Sequence, residues 1–170
     1  MSAPIRAAVL TVSDRCSRKE MDDTSGPALQ QMVREKLGGE IVMAACVPDE
    51  SQLIANCLRN WAKDDPRPDL ILTTGGTGLA QRDVTPEATT GVLERRHDAL
   101  LQLAYLRCMV KTPKTFLSRG VAGTIGRTLI INLPGSRKGS TEMFEALLDI
   151  LPHAIATLRG DVTDHGAGAR

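Results

Sequence analysis

The chain has 170 residues, one domain's worth, with 21 Lys and Arg against 20 Asp and Glu, a net charge of +1. That balance gives no reason to expect a nucleic-acid partner, and one Trp, one Tyr and two Phe leave no stacking platform for single strands, so the core must be aliphatic. No apolar run is long enough to span a membrane, no signal-peptide pattern appears, and Cys16, Cys46, Cys57 and Cys108 show no metal spacing. These features predict reduced, mostly buried thiols in a cytoplasmic protein with no membrane partner.

Taken in order, the apolar run over 5–12 predicts a central parallel strand. Ser13-Asp14-Arg15 follows, then a polar loop to Asp23 and Ser25-Gly26-Pro27. Ser13 and Asp23 either face a ligand or cap the next helix. Leu29, Met32, Val33 and Leu37 have helical spacing, and Gly38-Gly39 stops that helix. A second strand covers 40–48. Asp49 lies three residues before Gln52, and Leu53, Ile54, Cys57, Leu58 and Trp61 repeat at helical spacing beyond it. Asp49 therefore reads first as the N-cap of a capping box. Residues 64–68, with two prolines, break the chain.

The next segment organises the rest. Asp69-Leu70-Ile71-Leu72 reads as a buried strand. Thr73-Thr74-Gly75-Gly76-Thr77-Gly78 follows, then Asp83. Thr85-Pro86 predicts a helix start, a hydroxyl cap with proline at the first helical position. In open α/β sheets, ligands dock beyond the carboxyl ends of strands. Glycines let backbone approach a ligand and present N–H groups to an anion. A carboxylate among them suits a phosphate only in company with Mg2+. The alternative is a tight turn whose threonines cap backbone groups. Walker A fails for want of a lysine, and the dinucleotide fingerprint fails for want of a third glycine.

Residues 99–109 predict another helix, ended by Thr112-Pro113. Residues 116–120 predict a short extended piece, 123–126 a turn, and 128–133 a very apolar strand. Pro134-Gly135-Ser136-Arg137-Lys138 makes a second strand–loop–helix junction, this time basic. It is either an anion site at a helix N-terminus or a solvated turn. The last helix covers 141–158, kinked at Pro152. The whole predicts a three-layer α/β fold, a mainly parallel sheet with helices on both faces. One domain is expected over 1–159, with a flexible tail over 160–170.

Several motifs occur together: T-V-S-D at 11–14, D-T-S-G-P at 23–27, V-P-D-E at 47–50, L-T-T-G-G-T-G at 72–78, R-D-V-T-P-E at 82–87, L-S-R at 117–119 and L-I-I-N-L-P-G-S at 129–136. Over 5–158 the chain resembles the molybdopterin adenylyltransferase family, the bacterial Mog proteins and the G domains of plant Cnx proteins and gephyrin. Its N-L-P-G-S-R-K-G-S segment is most similar to gephyrin's. The resemblance implies transfer of AMP from ATP to the molybdopterin phosphate, with Mg2+ and release of pyrophosphate. It implies that Asp49 and Asp83 are catalytic and hold the metal. It further implies that Ser13, Asp23, Gly75, Gly76, Thr77, Gly78, Ser118, Pro134, Gly135 and Ser136 line the substrate site. A homotrimer is expected. The chain is too short for a molybdate-inserting domain, so a separate protein would carry out that step. Asp98-Ala99 and the sequence over 123–126 depart from the family pattern, away from both carboxylates. The alternative is a non-catalytic molybdopterin-binding or scaffold module of the same fold.

Overall fold

The computed structural model describes residues 3–161. In chain order it contains β1 (Arg6–Val12), α1 (Asp14–Ser17), α2 (Ser25–Lys36), β2 (Glu40–Val47), α3 (Ser51–Trp61), β3 (Leu70–Thr74) and α4 (Thr85–Thr90). Then come β4 (Arg95–Arg96), α5 (Ala99–Cys108), a 3₁₀ turn (Pro113–Leu117), β5 (Ala122–Ile125), β6 (Thr128–Leu133), α6 (Arg137–Glu145) and α7 (Leu151–Arg159). The strands lie in the order β2-β1-β3-β6-β5-β4. The first four run parallel; β5 is antiparallel to β6, and β4 to β5.

Alternation along the strands builds two cores. Val9, Leu72 and Ile131 point to one face, where Leu29 and Val33 of α2, Leu101 and Ala104 of α5, Phe144 of α6 and Ile155 of α7 cover them. Leu10, Ile71 and Ile130 point to the other, against Ile54 and Leu58 of α3 and Ala88 of α4. Both faces at the centre of the sheet are thus closed, which is why β3 and β6 are buried at every position and carry the apolar runs 70–72 and 129–131. The expected three-layer α/β arrangement is what the chain adopts.

Among the buried polar side chains of this interior is one amide. Asn132 of β6 is fully buried. Its amide donates to Thr73 Oγ1 (2.9 Å) and Thr89 Oγ1 (3.0 Å), and its Oδ1 accepts from the Val121 amide (3.2 Å). Complete pairing removes the penalty that a buried amide otherwise carries. At the opposite end of the strands, buried Asp69 accepts from Arg159 (2.6 and 3.0 Å) and from the Arg6 amide (2.8 Å). This ties α7 to the starts of β1 and β3.

Several local expectations are corrected. Residues 141–158 form two helices, because Pro152 occupies the first turn of α7, where its missing N–H breaks no bond. Residues 123–125 belong to β5, and Gly126 (φ 55°) with Arg127 makes the turn into β6. Position 123 needs glycine because a Cβ there would come within 2.7 Å of Leu93 Cδ1 and nearer still to the Arg95 carbonyl of β4. Residues 116 and 117 are in the 3₁₀ turn, and the chain extends only at Ser118. Of the four thiols, all free, only Cys108 is buried; Cys46 is exposed on β2. Gly160, in the left-handed conformation (φ 84°), ends α7. The rest of the expected tail, 162–170, lies outside the described residues.

Candidate active site

The ends of β2, β1, β3 and β6 bring four loops side by side at their carboxyl edge. This is the position where an open parallel sheet diverges and leaves a crevice. Two hollows open there. The first, about 270 Å³, is lined by Ser13, Asp23, Asp49, Gly75, Gly76, Asp83 and Gly135 among others. The second, about 330 Å³, includes Thr77, Gly78, Ser118, Pro134 and Lys114. Gly76, Asp83 and Gly135 belong to the walls of both. The hollows therefore meet along a seam at Asp83.

The glycines are required by this geometry. Gly75 (φ 104°) and Gly76 (φ 63°) have left-handed backbone. A Cβ on Gly76 would lie 2.9 Å from Asp49 Oδ1, and one on Gly78 would lie 2.8 Å from Asp83 Oδ2. Both residues keep the space around the carboxylate oxygens open. The loop is pinned from beneath: Thr85 Oγ1 donates to the Gly75 carbonyl (2.9 Å), and the Thr85 amide to the Gly76 carbonyl (3.0 Å). So the Thr85 hydroxyl is not the helix cap that was expected. Val84 precedes α4 without a side-chain cap, while Pro86 takes its expected first-turn place. Thr74 Oγ1 donates to the Pro134 carbonyl (2.7 Å), linking the first glycine loop to the second.

Asp49 is not the capping-box residue that its spacing suggested. Glu50 precedes α3 with no side-chain cap, and Gln52 bonds Asn56 instead. Asp49 Oδ2 accepts from the Asp14 amide (2.8 Å), and the Asp49 amide donates to Asp14 Oδ1 (3.1 Å). Burial raises the Asp49 carboxyl above its usual 3.8; the Asp14 amide opposes this, and the charges of Asp14 and Asp83 add to it. Asp83 Oδ2 accepts from the Ala80 amide (3.0 Å). Each carboxylate keeps its Oδ1 without a protein hydrogen bond among the described residues.

Ser13 and Asp23 line the first hollow, and both also cap helices. Ser13 Oγ accepts from the Cys16 amide (3.2 Å) at α1. Asp23 accepts from the Gly26 amide (2.9 Å) at α2 and from Thr11 Oγ1 (2.6 Å). Ser118 Oγ donates to Thr77 Oγ1 (3.3 Å) in the second hollow. Ser136 is not brought to the seam. It caps α6 through the Gly139 amide (3.0 Å) and faces a neighbouring apolar-walled hollow beside Lys114 and Lys138.

Sequence reasoning did not single out three side chains that shape the site. Arg119 donates to the Gly78 carbonyl (2.8 Å) and the Asp83 carbonyl (2.7 Å), and pairs with Glu87. It holds both ends of the Asp83 loop. Arg82 grips Asp14 with two nitrogens. Both arginines stand in quoted motifs, but one-dimensional spacing names no partner for either. Lys114 brings a cation to the second hollow, and no motif marked it.

A family model described as "Probable molybdopterin binding domain" matches residues 8–153. The chain belongs to this family. It is 44% identical over 159 residues to the molybdenum cofactor synthesis protein cinnamon of Drosophila melanogaster, covering 94% of this chain but only 26% of the fly protein. It is 37% identical over 158 residues to a molybdopterin adenylyltransferase of Helicobacter pylori strain J99, covering 92% of this chain and 89% of that enzyme. Among solved structures, the molybdopterin biosynthesis enzyme MoaB of Thermus thermophilus superposes with a TM-score of 0.86 at 48% identity. That match covers 92% of this chain and 97% of the other.

Proposed function

We propose that this chain is a molybdopterin adenylyltransferase of molybdenum cofactor biosynthesis, acting on MgATP and molybdopterin. The observation that carries the reading is the seam: Asp83, Gly76 and Gly135 stand in the wall shared by two hollows. One hollow is rich in carboxylates; the other carries Lys114. Joining two anionic substrates requires bringing both to one point, with their mutual repulsion offset there. The likeness to the Helicobacter enzyme, which spans most of both chains, agrees with this.

In the proposed reaction an oxygen of the molybdopterin phosphate attacks the α-phosphorus of ATP. The bond from that phosphorus to the bridging oxygen breaks, and pyrophosphate leaves with the electron pair. Asp49 and Asp83 would hold Mg2+, which when bound neutralises charge on the triphosphate. The donor set fits that ion. Hard carboxylate oxygens suit it, and it is commonly held by one or two carboxylates together with substrate phosphates. No cluster of three or more His, Cys, Asp or Glu able to hold a metal occurs among the described residues, so the triphosphate would complete the shell. Gly75, Gly76 and Gly135 leave the wall free of side chains, so that phosphate can approach the backbone. Lys114 offsets the charge of the second anion. Ser118 and Thr77 offer hydroxyls beside it.

The proposal includes a homotrimer, a cytoplasmic location and a separate molybdate-inserting partner. Sedimentation tests the assembly: a clean monomer would refute the trimer. No helix among the described residues is long and apolar enough to cross a membrane.

The decisive experiment mixes the protein with MgATP and molybdopterin and measures pyrophosphate. Wild type is expected to release it, and Asp83→Asn to fold, bind ATP and release none. Full turnover by Asp83→Asn would overturn the mechanism. Binding of both substrates by wild type without pyrophosphate would favour the non-catalytic module.

A further inference from the structure

We propose that Asp14 and Arg82 form a strut that sets the spacing between Asp49 and Asp83, making both positioning residues for the transfer. This rests on the reading under Proposed function. Three loops are involved, each leaving one of the neighbouring strands β2, β1 and β3. Asp14 lies after β1, Asp49 after β2, and Arg82 immediately before Asp83 in the loop after β3. Asp14 and Asp49 exchange reciprocal amide–carboxylate bonds of 2.8 and 3.1 Å. Arg82 closes on Asp14 as a fork, Nε to Oδ2 at 3.0 Å and Nη2 to Oδ1 at 2.8 Å. A continuous path of side-chain bonds therefore runs from the backbone of one proposed metal-holding residue to the other. Arg119 pins the same loop from the far side.

The pair is a poor candidate for a stability device. The Arg82 side chain is 62% exposed and that of Asp14 is 24% exposed. Solvated ion pairs contribute little to folding. What a two-pronged guanidinium–carboxylate contact does fix is direction. Phosphoryl-type transfer depends on that, since a displacement of about 1 Å can cost about a hundredfold in rate. Arg82 thus orients Asp14, and Asp14 orients Asp49, while the backbone carries the same restraint to Asp83.

The test uses Arg82→Ala, Asp14→Ala and the double variant in the full chain. Each single variant is expected to lower kcat about tenfold or more while changing KM for ATP far less. The double is expected to fall no further than the worse single, because the two act as one unit. Amide hydrogen exchange in the nucleotide-free protein gives a second readout. The Asp49 amide is expected to exchange faster in both single variants, with the melting temperature essentially unchanged. Arg82→Lys keeps the charge and loses the fork, and is expected not to restore kcat. Unaltered Asp49 exchange, multiplicative losses in the double, or full rescue by lysine would overturn the strut. Should wild type release no pyrophosphate, the functional reading fails alone. The exchange measurement still decides whether the strut exists.

Discussion

Gly75 and Gly135 meet across the two loops of the site: a Cβ on Gly135 would lie 3.1 Å from the Gly75 Cα. The loops after β3 and β6 are thus packed backbone against backbone. Gly135→Ala is expected to push them apart by a few tenths of an ångström and to lower turnover more than stability. Gly75→Ala should be worse on both counts, since Gly75 has φ 104°. Its strain is on the order of 1–3 kcal/mol. Urea denaturation and pyrophosphate release, measured side by side, check the pair.

Asp49 should trade stability for function. Its carboxyl is raised, chiefly by burial, so the folded state binds that proton more tightly than the unfolded chain does. Stability from this group is present below the unfolded value of 3.8 and is lost as pH rises through the folded one. At pH 7 the ionised side chain is a burden on the fold. Asp49→Asn is therefore expected to raise the melting temperature at pH 7 and abolish turnover. A lower melting temperature at pH 7 would contradict the assignment.

Arg119 should matter to the loop more than to the core. Its two bonds to carbonyls close the segment from Gly78 to Asp83. Charge-assisted hydrogen bonds contribute about 1.5–3 kcal/mol, less where solvent screens them, as at this 36%-exposed side chain. Arg119→Ala is expected to cost about 1 kcal/mol globally. Hydrogen exchange should show faster opening confined to residues 77–83, with an accompanying loss of turnover.

The far end of the sheet governs acid stability. Burial alone would raise the Asp69 carboxyl, but hydrogen bonds from Arg159 and the Arg6 amide outweigh it and hold it below 3.8. A depressed carboxyl contributes stability above its unfolded value and loses it as pH falls through the folded one. Asp69→Asn should flatten the acid limb of the stability profile below about pH 4. Arg159→Ala should cost about 3 kcal/mol at pH 7, because it leaves a buried charge with only the Arg6 amide and a longer contact to the Arg6 guanidinium. Chemical denaturation across pH checks both.

Most of the architecture was readable because hydrophobic patterning reports burial directly. The stretches at 7–10, 70–72 and 129–131 are continuously apolar, and a strand covered on both sides is what such a run serves. The glycine loops were equally plain, because left-handed backbone demands glycine at 75 and 76. What spacing could not reveal was partner choice. Thr85 and Asp49 both carry groups able to cap a helix, and each found a tertiary partner instead, the Gly75 carbonyl and the Asp14 amide. Pro152 was expected to kink a single helix, and it stands instead in the first turn of a separate one, a place its fixed φ suits equally well. Ser13 and Asp23 were left between capping and ligand contact, and both cap while facing the hollow.

Asn132 has a consequence for how the chain finds its native pairing. Side chains on a strand alternate between faces, so sliding β6 by one residue would carry this amide to the opposite side of the sheet. There it would lose the Thr73 and Thr89 hydroxyls and sit bare among aliphatic carbons. Apolar neighbours such as Ile130 and Ile131 would tolerate either alignment almost equally. The lone strand amide therefore favours one register, and with it the alignment that sets the four loops side by side at the sheet's edge.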